Sequence, residues 1–121
     1  MNKDYSNQFN KNIILKEKGK FKQIEMEKII KISCEGYIST IKTIDSEISI
    51  SKILKKFEGE LKNYGFIRVN RNNLVNFKHI KNYSKINSKP TITLSNNEKL
   101  IISRRNLPKL MTFIRNQITI Y

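Results

Sequence analysis

The sequence holds one cysteine, one histidine, two prolines, four glycines and no tryptophan. Each scarcity removes a class of function. Cys34 has no second cysteine to pair with, which fits a reducing compartment, so a cytoplasmic location is the expectation. His79 is the only imidazole and stands far from Cys34 in sequence, so no zinc ligand set can be assembled. Gly19, Gly36, Gly59 and Gly65 are scattered, which leaves neither a Walker A loop nor a dinucleotide fingerprint. A Cys34–His79 nucleophile pair is set aside, because a lone cysteine on an apolar run is ordinarily an inert packing residue. Glu25, Glu27 and Glu35 read as a solvated strand face and not as a ligand set. No apolar run approaches the ~20 residues of a membrane span. The opening MNKDYSNQFNKN has no signal-peptide core. The expectation is a non-enzyme with no cofactor, no metal, no small-molecule substrate and no membrane partner.

Acidic residues are also scarce, and unevenly so. The formal net charge is +14. Residues 1–60 carry twelve lysines against nine acids, a balance of +3, whereas residues 61–121 carry seven lysines and five arginines against Glu98 alone, a balance of +11. Codon bias from an AT-rich genome enriches lysine but does not delete acids. All five arginines lie in the second half, and the guanidinium fork matches phosphate and guanine edges. A basic half of this kind points to a polyanionic partner.

The length suggests one domain with a modest core. Residues 1–11 read as a disordered polar tail and 12–121 as the domain. Residues 12–24 look like a hairpin around Gly19, and Ile29–Ile44 is β-rich and broken at Gly36. Asp45-Ser46-Glu47 turns into Ile48–Ile50. Ile53, Leu54, Phe57 and Leu61 share a helical face, with Ser51 as N-cap and Gly65 as the stop. Phe66–Val69 and Leu74–Lys81 read as strands, Ser84–Pro90 as a loop, and Thr91–Leu94 with Leu100–Ile102 as a hairpin. A second helix starts near Asn106, tolerates Pro108 in its first turn, and buries Leu107, Leu110, Met111 and Ile114. The tally is eight to ten short strands and two amphipathic helices.

The segment GFIRVNRNNLVNFKHIKNY, residues 65–83, resembles the signature of the LytTR family through Phe66, Arg68, Arg71, Val75, Asn76 and Ile80. MEKIIKISCEGYISTI (26–41) resembles the family's early strand pair, and ITLSNNEKLIISRRNLPKL (92–110) its final hairpin, Ser-Arg and closing helix. The likeness runs over roughly 12–118. It departs at Asn70 and Asn72, where the family usually has His and Ser; asparagine keeps donor and acceptor capacity and reads adenine bidentately. The resemblance implies a mainly β fold with short helices, an elongated stack of small antiparallel sheets. It also implies a bacterial transcription regulator that binds double-stranded DNA by loops in successive major grooves, and two copies on tandem half-sites. Relatives often carry a receiver domain; the expectation here is a stand-alone DNA reader.

The resemblance also assigns candidate contacts. Arg71 reads as a forked base or phosphate contact, the plain alternative being a surface arginine. Arg105 matches a family contact position ahead of a helix start, with Arg104 beside it on phosphate. Ser39 and Thr40 fall in the strand that relatives use for the first groove. Asn70, Asn72 and Asn73 have two roles open, base contact or turn capping. Lys78 reads as phosphate-facing, and His79 as a contact or a packing residue. Asn76 is assigned to structure, and Tyr37 and Phe66 to the core. The alternative function is an RNA-binding or ribosome-associated module, disfavoured by the missing RNP aromatics and GXXG loop. A membrane-surface module is disfavoured because the basic residues share no helix with a strong apolar face.

Overall fold

In a computed structural model, residues 12–117 are described; the tail expected over 1–11 lies outside them. Strands β1 (Asn12–Glu17) and β2 (Lys20–Glu25) form a hairpin. Its two-residue turn, Lys18 and Gly19, has φ of 47° and 78°, the left-handed pair that matches strand twist. Strands β3 (Ile29–Glu35), β4 (Ile38–Thr43), β5 (Glu47–Ile50), β6 (Phe66–Asn70) and β7 (Asn73–Asn76) make an antiparallel sheet in the order β5-β4-β3-β7-β6. Helix α1 (Leu54–Leu61) joins β5 to β6. Strands β8 (Ile80–Ile86), β9 (Lys89–Leu94) and β10 (Lys99–Ile101) form a second sheet, order β10-β9-β8, and α2 (Leu107–Gln117) closes the described chain. The expected fold class, small antiparallel sheets with short helices, holds.

The five-stranded sheet is the middle layer, because apolar side chains cover both its faces. On β7, Leu74 enters one core and the next residue, Val75, enters the other. The first core gathers Leu15, Ile24, Ile32, Ile41, Phe57, Leu61 and Phe66, so the β1–β2 hairpin and α1 cover that face. The second gathers Ile30, Val69, Ile92, Leu94, Ile102 and Leu110, so the three-stranded sheet and α2 cover the other. An irregularity in β3 between Ile29 and Lys31 resets the alternation, which lets Ile29 and Ile32 face the first core while Ile30 faces the second. Each fully buried aliphatic side chain contributes about 1.5–3 kcal/mol.

Three local expectations are corrected. Residues 84–90 are a hairpin and not a loop: Asn87 and Ser88 take φ of 54° and 66°, a tight turn that carries β8 directly into β9. The strand expected over 74–81 is two strands separated by the single 3-10 turn Phe77–His79, which Asn76 starts by accepting the Lys78 N–H at 3.1 Å. Helix α1 begins at Leu54, three residues after Ser51, and Ile53 sits at its N-cap with no side-chain cap. Residues 51–53 serve as a connector instead, where the Lys52 carbonyl accepts the Ser39 hydroxyl. Gly65 does stop the segment, in a left-handed conformation at φ 86°.

Candidate nucleic-acid interface

Antiparallel pairing decides which turns share an end of the molecule. Beta3 leaves the sheet at Glu35 where β4 enters at Ile38, and β6 leaves at Asn70 where β7 enters at Asn73. Because β3 also pairs with β7, these turns are neighbours, and Cys34 N–H donates to the Asn72 carbonyl at 3.0 Å. The second sheet meets the same end. Asn70 Nδ2 donates to the Ile101 carbonyl at 3.0 Å, and Ser103 N–H to the Val69 carbonyl at 2.9 Å. Arg71 in the β6–β7 turn and Arg104 and Arg105 in the turn before α2 are thereby carried on adjoining segments. All three side chains are exposed. None of them takes part in an ion pair among the described residues.

The three asparagines divide in role. Asn70 Oδ1 accepts the Asn72 backbone N–H and the Asn73 Nδ2–H, both at 3.0 Å, while its Nδ2 is used on Ile101. Its amide is therefore largely occupied in holding the turn, one of the two roles open in the sequence. Asn73 also receives Lys31 Nζ at 3.4 Å. Asn72 is exposed, with its side chain unengaged among the described residues. Asn76 is buried, and its Nδ2 donates to the carbonyls of Met26 (3.1 Å) and Ile29 (2.9 Å).

The remaining candidates lie elsewhere or are engaged. Ser39 is a correction: it is 0% exposed, on the core-facing phase of β4, with its hydroxyl donated to the Lys52 carbonyl, so it cannot reach a partner from where it sits. Thr40, on the opposite phase, is half-buried, 3.0 Å from the Ser49 hydroxyl. Lys78 is exposed, 3.9 Å from the Glu27 carboxylate. His79 bridges two segments: Nε2 donates to the Glu27 carbonyl at 2.6 Å and Nδ1 lies 2.7 Å from Ser95 Oγ. Lys78 and His79 sit at the opposite end of β7 from Arg71. Tyr37, assigned to the core, is 81% exposed because it occupies the β3–β4 turn; Phe66 is in the core as expected.

Two supporting groups escaped the sequence reading. Arg68 clamps the β6–β7 turn from behind: Nε donates to the Asn70 carbonyl at 2.9 Å and Nη2 to the Arg71 carbonyl at 2.6 Å, while Nη1 pairs with Glu58 on α1 at 2.9 Å. Lys31, buried on β3, pairs with Glu98 of the β9–β10 turn at 2.6 Å. Glu98 is the sole acid after Glu60. Among the described residues no group of three or more His, Cys, Asp or Glu is placed to hold a metal ion, and no helix is long and apolar enough to cross a membrane.

The family model described as LytTr DNA-binding domain matches residues 19–115. The transcriptional regulatory protein LytR of Staphylococcus aureus, from strains N315 and NCTC 8325 alike, is 28% identical over 102 residues, which span 84% of this chain and 42% of the relative. The chain thus spans less than half the length of these curated relatives. Among solved structures, the LytTr DNA-binding domain of a methyl-accepting/DNA response regulator from Bacillus cereus superposes with a TM-score of 0.71 at 19% identity, over 84% of this chain and 94% of that one.

Proposed function

The chain belongs to the LytTr DNA-binding domain family, and on that premise we propose that it regulates bacterial transcription by binding double-stranded DNA sequence-specifically in the cytoplasm. The observation that carries the reading is the stitching of the Arg71 turn to the Arg104–Arg105 turn through Asn70–Ile101 and Val69–Ser103. Two exposed cationic turns on separate sheets become one fixed pair, which is what docking on a duplex requires. Arg71 and Arg105 read base edges with their forked donors. Arg104 and the unpaired lysines of the second half neutralise phosphates. Asn72 stands beside Arg71 with a free amide and adds a base contact. Asn70 and Asn73 hold the turn, and Thr40, Lys78 and His79 are at most peripheral. Two copies on tandem half-sites are part of the proposal.

Competition binding with duplex DNA, duplex RNA and anionic vesicles tests this reading. Duplex DNA should win. Its log affinity should fall steeply with log salt, by about 0.9 per neutralised phosphate. A flat dependence between ~50 and ~200 mM, or displacement by RNA or vesicles in preference to DNA, contradicts it.

A further inference from the structure

The β8–β9 hairpin extends past the sheet that bears it. Beta10 pairs with Thr91, Ile92 and Thr93 only, and the Ile102 N–H adds one bond to the Pro90 carbonyl at 2.9 Å. Beyond that bond, the rung Ile86–Lys89 belongs to β8 and β9 alone. At ~3.3 Å per residue the tip stands about 7 Å beyond the last paired rung of β10. It overhangs at the end where β10 runs into Ser103, Arg104 and Arg105, and so on the side of the arginine turns.

The tip is built to be stiff and cationic. Asn87 and Ser88 form a two-residue turn with both φ positive, a conformation that fixes the strands' register. Residues 81–89 are all exposed. Lys85 and Lys89 project from this stretch, and neither enters an ion pair among the described residues. No acid stands nearby in sequence, because Glu98, the sole acid after Glu60, is held against Lys31. A packing role does not account for two lysines at an exposed tip, and a solubility role does not need a rigid overhang on the side of the arginines.

We propose that this tip is a second arm, in which Lys85 and Lys89 grip the sugar–phosphate backbone of duplex DNA outside the segment read by the arginine turns. The inference rests on the DNA-binding reading above. Charge complementarity commits the surface to phosphate: duplex DNA offers one negative charge per ~1.7 Å of axis, so a separate cationic tip on the side of the arginine turns meets backbone phosphates. Contacts of this kind add affinity without sequence information.

The test compares the wild type with the double variant Lys85→Gln/Lys89→Gln, with folding checked by circular dichroism. Two duplexes carry the same selected site: one extends about 10 base pairs, one helical turn, on each side, and the other is trimmed at the site. On the extended duplex the variant should bind about tenfold more weakly at low salt, with a salt slope smaller by about two, one per lost phosphate contact. Its preference for selected over scrambled sequence should be unchanged. On the trimmed duplex the two proteins should bind alike. Equal affinity and slope on the extended duplex overturn the arm alone. An equal loss on the trimmed duplex also overturns it, by placing the lysines inside the read segment. A wild type that binds neither duplex overturns the arm and the parent reading together.

Discussion

The two halves of the chain, which supply the covers of opposite faces of the five-stranded sheet, treat their charges differently. In the first half of the chain, three lysines are matched with acids of the same half: Lys28 with Glu25, Lys42 with Glu47 and Lys52 with Glu60. Across the sheet, the second half has one acid, and Glu98 is held against buried Lys31 instead of sitting among the surface bases. Folding then moves two first-half acids onto second-half bases, Glu58 onto Arg68 and Glu27 onto Lys78. The difference teaches that a charge tally overstates the cationic surface. Of the twelve second-half bases, Arg68 and Lys78 are paired with an acid among the described residues, and the other ten, the turn arginines and hairpin lysines among them, are not. Exposed pairs contribute about 0–1 kcal/mol to stability, so their consequence lies in the electric field they cancel more than in the fold.

The largest expected effect would break the comparison by severing the two faces. Leu110→Ala, in the second core, should cost about 3 kcal/mol, and Leu74→Ala, in the first, a similar amount. Both leucines are fully buried, and both cores hang on the same sheet. Urea denaturation should therefore show one shared transition in each variant; two separated transitions would mean that the faces fold as independent units.

The next effect concerns the ion pair that joins the sheets. Lys31→Ala leaves the Glu98 carboxylate half-buried, with one oxygen already lacking a hydrogen-bond partner. A loss of about 2 kcal/mol should follow, below the cost for a fully enclosed pair because Glu98 is partly solvated. The double change Lys31→Met/Glu98→Leu should recover to within about 1 kcal/mol of wild type, since apolar replacement of both partners avoids an orphaned charge. Chemical denaturation of Lys31→Met alone, which keeps the side-chain volume but orphans Glu98, identifies the cause: a loss there that the double change recovers marks the orphaned charge, and a single variant as stable as wild type would mean that the Lys31→Ala loss is packing.

The smallest effect sharpens the contrast. Lys42→Gln removes an exposed lysine whose partner Glu47 is 60% exposed, and should change stability by less than about 0.5 kcal/mol. Its duplex affinity should equal that of wild type. A loss comparable with that of a turn arginine would mean that the first half also faces the DNA.

Much of the fold was legible because its signals are local. Gly19, Gly36 and Gly65 mark turns or stops where they were expected, each with positive φ. The Leu54–Leu61 face and the Leu110 stripe follow helical spacing. The stacking of the sheets was not local: β3 pairs with β7 across about forty residues, and only the family resemblance supplied that arrangement. The 87–88 turn was hidden by the Lys-Pro after it, which reads as a loop although Pro90 keeps a carbonyl for Ile102. For the candidate site, motif and charge pointed to Arg71, Arg104 and Arg105, which the fold leaves exposed on adjoining turns. The burial of Ser39 was also available, since it shares the phase of Ile41 along β4. Arg68 and Lys31 were not readable as supports, because their partners Glu58 and Glu98 lie ten and 67 residues away.

On the proposed reading Arg71, with Arg105, reads sequence, while the lysines of the second half only hold the duplex. Wild type, Arg71→Ala and Lys78→Ala should be titrated against selected and scrambled duplexes at two salt concentrations. Arg71→Ala should lose about 1–3 kcal/mol on the selected duplex and little on the scrambled one. Lys78→Ala, whose ammonium is already near Glu27, should weaken both equally if at all, with its salt slope reduced by at most about one. Equal loss on both duplexes for Arg71→Ala would make it a backbone anchor, and no loss on either would place the DNA on another face of the molecule.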